Sequence, residues 1–254
     1  VHRIKHEAQD FPVPPPKRLI LIRHGESEWN RDNRFTGWAD VGLTPGGAEQ
    51  MRAAARLLRD AGISVDAAYS SVLNRCILSL WIVLEELDCP WVSQILDWRL
   101  NERHYGGLTG LVKSEAEARF GHAAVLGWRR GYDTQPPPLD DEAAAYIAID
   151  RRYAGLSADA VPLGESLKQT VTRVQDVWLQ SMVPALRHAR SLLVVGHGNS
   201  LRALTKILES VSDDDVVHLE VDNAVPIVYE LDDALAVRKK SVFAGTHTGR
   251  SEIL

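Results

Sequence analysis

Residues 17–26 read Lys-Arg-Leu-Ile-Leu-Ile-Arg-His-Gly-Glu, and residues 192–199 read Leu-Leu-Val-Val-Gly-His-Gly-Asn. Each stretch is a compact apolar run that stops at a histidine next to glycine. A short unbroken apolar run bounded by polar residues is the pattern of a strand covered on both faces. In open α/β sheets, ligands sit outside the carboxyl ends of the strands, where loops converge. Histidines at the ends of two such strands, His24 and His197, are therefore expected to face one site. The neighbouring glycines let the backbone turn tightly beside them.

Working outward, Thr44-Pro45 offers an N-cap with proline at the first helical position, and Ala48, Met51, Ala55 and Leu58 recur at helical spacing until Gly62. Residues 65–69 and 92–95 read as short strands, and 72–87 as a helix apolar on all sides, hence buried. Leu167, Val171, Val174, Trp178, Met182 and Leu186 mark one long amphipathic helix over 166–186. A helix over 201–208 follows the second histidine, and 225–231 and 234–242 close the chain as strands. Between these elements, 135–160 mixes three consecutive prolines, acidic residues and alanines without a sustained period, and reads as an excursion with some helix. The alternation predicts an α/β fold: a mostly parallel central sheet flanked by helices on both faces. Four prolines within 11–16 mark residues 1–17 as a lead-in arm, leaving 18–254 as a single catalytic domain.

Bulk properties narrow the function. A chain of 254 residues that is 45% apolar can bury a full core as one domain. Its formal net charge of −5 argues against an extended nucleic-acid or anionic-membrane surface, so any basic cluster must be local. The two cysteines, Cys76 and Cys89, suggest neither a disulfide scaffold nor a zinc site. No apolar run is long enough to cross a bilayer, and the charged start is unlike a signal peptide. A soluble, cytoplasmic protein with reduced thiols is expected.

The chemistry gathers at the two strand ends. A neutral imidazole is a competent nucleophile toward phosphorus near neutral pH. Such a nucleophile needs cations: Arg23 is adjacent to His24, and Arg75 follows the second predicted strand, so both can fork onto a transferring phosphoryl group. Glu102, within Leu100-Asn101-Glu102-Arg103-His104-Tyr105-Gly106, is a candidate general acid for the leaving oxygen. Bland readings exist for each. Arg-His-Gly-Glu alone is a four-residue string compatible with an inert turn, a lone carboxylate is more often solvated or ion-paired than a proton donor, and Lys113 or Arg129-Arg130 on a helix would ordinarily be solvated. The pairing of the two histidine motifs favours catalysis.

Longer segments carry a resemblance. Leu21-Ile22-Arg23-His24-Gly25-Glu26-Ser27-Glu28-Trp29-Asn30 with Arg34-Phe35-Thr36-Gly37-Trp38 is similar to the signature of the 2,3-bisphosphoglycerate-dependent phosphoglycerate mutases, within the histidine phosphatase superfamily. Ser71-Val72-Leu73-Asn74-Arg75, Asn101-Glu102-Arg103-His104-Tyr105-Gly106, Trp128-Arg129-Arg130-Gly131, Gly196-His197-Gly198-Asn199-Ser200-Leu201-Arg202 and Val225-Pro226-Ile227-Val228-Tyr229-Glu230 follow in the family's order. The resemblance implies a phosphoglycerate mutase-like fold, with His24 as phosphorylated nucleophile and Glu102 as proton donor and acceptor. It makes His197, Arg23 and Arg75 the groups that stabilise the transferring phosphoryl. It implies ligand binding by Asn30, Thr36, Gly37, Arg103, His104, Tyr105, Lys113, Arg129, Arg130, Gly198 and Asn199. It further implies 2,3-bisphosphoglycerate as phosphoryl primer, a small anionic phosphorylated substrate, and a homo-oligomer (dimer or tetramer); no metal is expected, because fixed cations and imidazoles neutralise the charge a magnesium ion would otherwise offset.

Three departures bear on activity. Asp222-Asn223-Ala224 replaces the family's Pro-Thr-Gly, Leu78 stands where relatives carry His or Arg, and the stretch after Gly245 is shorter than the usual lysine-bearing tail. A carboxylate at Asp222 near the cavity mouth and a shorter cover would favour water as acceptor. Against this, Lys113, Arg129, Arg130 and the segment from Glu102 to Tyr105 are all retained, so interconversion of 3-phosphoglycerate and 2-phosphoglycerate, with raised hydrolysis of bisphosphoglycerate, is the main expectation. A histidine-type phosphatase acting on another small phosphorylated metabolite is the alternative, and a catalytically silent phosphate-binding scaffold the third reading.

Overall fold

The computed structural model describes residues 16–157 and 160–244. The arm, apart from its last two residues, and the stretch after Gly245 lie outside them.

Six strands form one sheet in the order β3-β2-β4-β1-β5-β6: β1 (Lys17–Arg23), β2 (Ala67–Ser70), β3 (Ser93–Leu96), β4 (Ser191–Gly196), β5 (Ile227–Leu231) and β6 (Val237–Val242). The pairs β1/β4, β2/β4 and β2/β3 are parallel, whereas β1/β5 and β5/β6 are antiparallel. The short link between β5 and β6 accounts for the latter, because a parallel neighbour needs a crossover of a dozen or more residues. At the centre, β1 and β4 pair Ile22 with Val195 and Arg23 with Gly196, so the residues that follow, His24 and His197, emerge side by side.

The four-residue runs read from the sequence are buried on both faces. Leu19, Leu21, Leu192 and Val194 pack in one cluster, Ile20, Ile22, Leu193 and Val195 in another. Each side chain contributes roughly 1.5–3 kcal/mol by leaving water, which anchors the two histidine-bearing loops. Nine helices are described: α1 (Glu28–Arg31), α2 (Pro45–Asp60), α3 (Asn74–Glu86), α4 (Lys113–Phe120), α5 (His122–Arg130), α6 (Asp141–Ala148), α7 (Leu167–Val177), α8 (Val183–His188) and α9 (Gly198–Glu209). Helices α2 and α3 cover one face of the sheet, α7 to α9 the other. None of the described helices is long and apolar enough to cross a membrane.

Two readings are refined. The helix expected over 166–186 is present, but Trp178–Met182 is a π turn between α7 and α8. Pro184 explains the break in regularity: it has no N–H to donate and its ring crowds the carbonyl four residues back, which a widened turn relieves. The helix after His197 begins at Gly198, three residues earlier than its apolar residues suggest, so Gly198 and Asn199 supply its first N–H groups. The excursion over 135–160 contains α6, capped by Asp140, whose side chain accepts from the Ala143 N–H.

Candidate active site

His24 leaves β1 with its N–H bonded to the Gly196 carbonyl (3.0 Å), tying the loop to β4. Its Nδ1 lies 2.7 Å from the Gly25 carbonyl oxygen. A carbonyl only accepts, so Nδ1 carries the proton and Nε2 keeps its lone pair. Burial first, then Arg75 and Arg23, hold the imidazole's pKa well below its ordinary value, so the ring is neutral and nucleophilic at neutral pH. The loop must be thin. A Cβ on Gly25 would meet the Gly47 carbonyl oxygen at 2.1 Å, and one on Gly47 the Glu26 carbonyl oxygen at 2.1 Å; the start of α2 and the nucleophile loop touch backbone to backbone.

The 222–224 loop lies under this turn. Asn223 Nδ2 donates to the His24 carbonyl (2.6 Å), and the Ala224 N–H donates to the Arg23 carbonyl (2.9 Å). Asp222 itself is exposed and does not line the cavity; besides Glu102, the acidic side chain on the cavity wall is Glu220. The expected extra carboxylate at the mouth is therefore supplied by a different residue, and Arg130 pairs with it at 2.7 Å. Leu78 is partly exposed on α3, away from the cavity lining.

His197 is fully buried behind the nucleophile, the two rings edge to face with centroids 5.1 Å apart. Burial, then Arg75, keep this ring neutral too. Arg23 donates from Nη1 to the Val221 carbonyl (2.9 Å). Arg75 donates to the carbonyls of Ala39 and Gly37, each at 2.8 Å, and so fixes the Thr36-Gly37 turn while lining the cavity. Glu102 Oε1 accepts the backbone N–H groups of Arg103 (2.8 Å) and Asn199 (3.1 Å), the latter in the first turn of α9.

His24, Arg23, Arg75 and Glu102 open on one cavity of about 220 Å³, whereas His197 stands behind its lining. Asn30, Thr36, Gly37, Tyr105, Lys113, Arg129, Arg130, Gly198 and Asn199 all line it with Arg23, His24, Arg75 and Glu102. Lys113 opens α4, and Arg129 and Arg130 end α5. Burial, then Arg129, lower the Lys113 pKa. Of the cations on this cavity, only Arg129 and Arg130 make ion pairs among the described residues, Arg129 at 3.9 Å from Glu117.

Arg103 and His104 stand behind the lining. Arg103 donates to the Arg129 carbonyl (2.7 Å) and the Tyr105 hydroxyl (3.3 Å), bracing the wall. His104 packs its ring on Trp38 (5.4 Å) and accepts the Gly106 N–H on Nδ1. Sequence reasoning missed Arg34 and Arg202, which also line the cavity. Arg202 follows Asn199 by three residues on α9 and donates to its side chain (2.9 Å), so helical spacing could have found it. It also missed the buried Arg173–Glu165 pair (2.7 Å). Arg173 donates to the carbonyls of Arg99, Asn101 and Glu102, while Glu165 accepts the His104 N–H, so the pair clamps the segment carrying Glu102.

The sequence profile of the histidine phosphatase superfamily (branch 1) matches residues 19–239. This chain belongs to that superfamily. Solved structures with the same fold include a mycobacterial glucosyl-3-phosphoglycerate phosphatase bound to VO3, with a TM-score of 0.66 and 23% identity over 84% of this chain and 92% of that one. YhfR of Bacillus stearothermophilus aligns with a TM-score of 0.64 and 22% identity over 87% and 96% of the two chains. The α-ribazole phosphatase of Shigella flexneri aligns with a TM-score of 0.63 and 22% identity over 92% and 100%. As a histidine phosphatase superfamily member, the chain is a phosphotransferase or hydrolase.

Proposed function

We propose that this chain moves a phosphoryl group through a phosphohistidine at His24 and hands it to a hydroxyl of a small phosphorylated acid, interconverting 3-phosphoglycerate and 2-phosphoglycerate. The observation that carries the reading is the second cationic group: Lys113, Arg129 and Arg130 share one small cavity with the nucleophile. A phosphatase needs cations at the phosphorus it attacks, whereas a mutase must also grip an anion at the far end while the molecule turns round.

Each residue then has a role. His24 Nε2 attacks phosphorus. Arg23 and Arg75 stabilise the charge spread over the transferring oxygens, with His197 beside them. Glu102, in its protonated form, gives its proton to the leaving oxygen and later takes one from the acceptor. Lys113, Arg129 and Arg130 hold the remote anionic group, while Gly198 and Asn199, in the first turn of α9, line the cavity, the Asn199 N–H being held by Glu102. The primer this reading requires, 2,3-bisphosphoglycerate, supplies the phosphoryl group that loads His24. Cations with no carboxylate partner among the described residues, half-buried Arg23 and buried Arg75 at one end and half-buried Lys113 at the other, fit such a polyanion.

The fold relatives, among them a glucosyl-3-phosphoglycerate phosphatase and an α-ribazole phosphatase, favour a second reading over the mutase: a histidine-type phosphatase acting on another small phosphorylated metabolite. There the first half-reaction is the same and water takes the phosphoryl group from His24. One experiment separates them: a reaction on 3-phosphoglycerate primed with labelled 2,3-bisphosphoglycerate, in which 2-phosphoglycerate, inorganic phosphate and acid-labile label on the protein are counted together. Phosphate without 2-phosphoglycerate replaces the mutase with a phosphatase; no acid-labile label removes both.

A further inference from the structure

We propose that Ser71 is a positioning residue that holds His197 as its Nδ1–H tautomer, so that this ring keeps one N–H for the phosphoryl group on His24; the proposal rests on the phosphohistidine reading above. His197 Nε2 lies 2.8 Å from Ser71 Oγ and 3.2 Å from Cys76 Sγ, while Nδ1 is buried with no partner. Only Nδ1 is therefore free to meet a ligand oxygen, and it can do so as a donor only if the proton is there.

Proton accounting decides the tautomer. The Leu73 N–H donates to Ser71 Oγ (3.3 Å), so that oxygen is already an acceptor. If Nε2 carried the proton it would donate to the same oxygen, and the Ser71 hydroxyl proton, at a residue with no exposure, would be left to the Cys76 sulfur, a weaker acceptor than an imidazole nitrogen. In the other arrangement Ser71 Oγ–H donates to Nε2, and the Cys76 thiol donates to the Gly196 carbonyl (3.3 Å). Burial pushes the Cys76 pKa up to about 12, so that thiol keeps its proton. Every proton then has a place except Nδ1–H. A buried donor without an acceptor costs free energy, and an anion beside His24 would remove that cost when it arrives.

The two histidines are complementary. On His24 the Gly25 carbonyl takes Nδ1–H and leaves Nε2 bare for attack, and on His197 Ser71 takes Nε2 and leaves Nδ1–H to donate. In the transfer, the His24 Nε2 lone pair forms the N–P bond, the P–O bond to the leaving oxygen breaks, and the Glu102 carboxyl proton goes to that oxygen. His197 keeps its proton and donates a hydrogen bond only. Ser71 and Arg75 follow β2 within five residues, so one short connection sets both the donor ring and a cation.

The test is a nitrogen-15 NMR spectrum of histidine-labelled protein, with the His197 signals identified by their loss in His197→Gln. The expected spectrum shows His197 with a protonated Nδ1 and a bare Nε2. Ser71→Ala should mix the tautomers and slow His24 phosphorylation by 2,3-bisphosphoglycerate about 10–100-fold, with KM within about twofold, and Ser71→Thr should restore the rate. A protonated Nε2 in the wild-type spectrum overturns the proposal, as does a Ser71→Ala rate within twofold of wild type. The wild-type spectrum decides the tautomer even where Ser71→Ala does not fold. Absence of acid-labile phosphate on the wild-type protein overturns the proposed function instead, and the spectrum still reports the tautomer.

Discussion

At one end of the cavity, His24 and His197 stand at the ends of two adjacent parallel strands, whereas at the other end Lys113, Arg129 and Arg130 come from two short helices. The strand end is fixed by the sheet register and by apolar clusters on both faces. The helical end rests on a separate small cluster of Phe35, Leu108, Ala116 and Val125. On the proposed function, the phosphoryl chemistry sits on the rigid part, and recognition of the rest of the substrate on a part that can vary without disturbing the sheet.

The largest effect should come from the strand end. His24→Ala is expected to abolish turnover and acid-labile phosphate while leaving the fold intact by circular dichroism, since no other group can take its place. Phosphoenzyme on that variant would move the nucleophile elsewhere. Glu102→Gln should slow both phosphorylation of His24 and its discharge, by about 10²–10⁴-fold; rapid-quench rates unchanged in both half-reactions would take Glu102 out of the mechanism.

Acid should also destabilise the fold through the segment that carries Glu102. Burial lowers the His104 pKa to about 4, against about 6.5 in the unfolded chain. Between these values the unfolded state binds the extra proton. Stability is therefore complete above pH 6.5 and falls as pH drops toward 4, by about 3 kcal/mol from this residue alone. Urea midpoints at pH 7 and pH 4.5 measure it, and His104→Gln should flatten the difference; an equal slope in both proteins would assign the acid sensitivity to other groups.

The helical end sharpens the comparison. Lys113→Met and Arg129→Met should each lower kcat/KM about 10–100-fold, the loss of one charge-assisted contact, and should reduce 2-phosphoglycerate formation more than phosphate release. Equal losses in both products would make this wall a general anion trap rather than the feature that selects the acceptor. The smallest effect concerns the loop beneath His24. Ala224 has φ of +54°, a left-handed conformation that disfavours a Cβ. Ala224→Gly should stabilise the protein by about 1 kcal/mol, read as a higher urea midpoint.

The same contrast explains what the sequence revealed. Residues 19–22 and 192–195 are local, periodic signals, so the two central strands, and with them His24 and His197 in one site, were legible from spacing alone. Lys113, Arg129 and Arg130 were reached only through resemblance, because nothing in their own segments says that two short helices will turn them toward a histidine some ninety residues or more earlier. The Arg173–Glu165 clamp was legible by neither route: it works through backbone carbonyls, which leave no trace in side-chain patterns. The π turn before Pro184 hid beneath apolar spacing that continues straight through it.

The contact between Gly25 and Gly47 also bears on how this chain can change over time. Most crowded pairs can drift together, one side chain shrinking as its neighbour grows. Here each glycine is opposed by a carbonyl oxygen of the other segment, at 2.1 Å from the Cβ it lacks, and a backbone atom cannot be made smaller. No second substitution rescues the first, so the two positions should stay invariant independently of each other while the cationic wall diversifies. In a library scored for survival, they would appear as two isolated intolerant sites with no compensating partners, on a protein whose substrate range is otherwise open to selection.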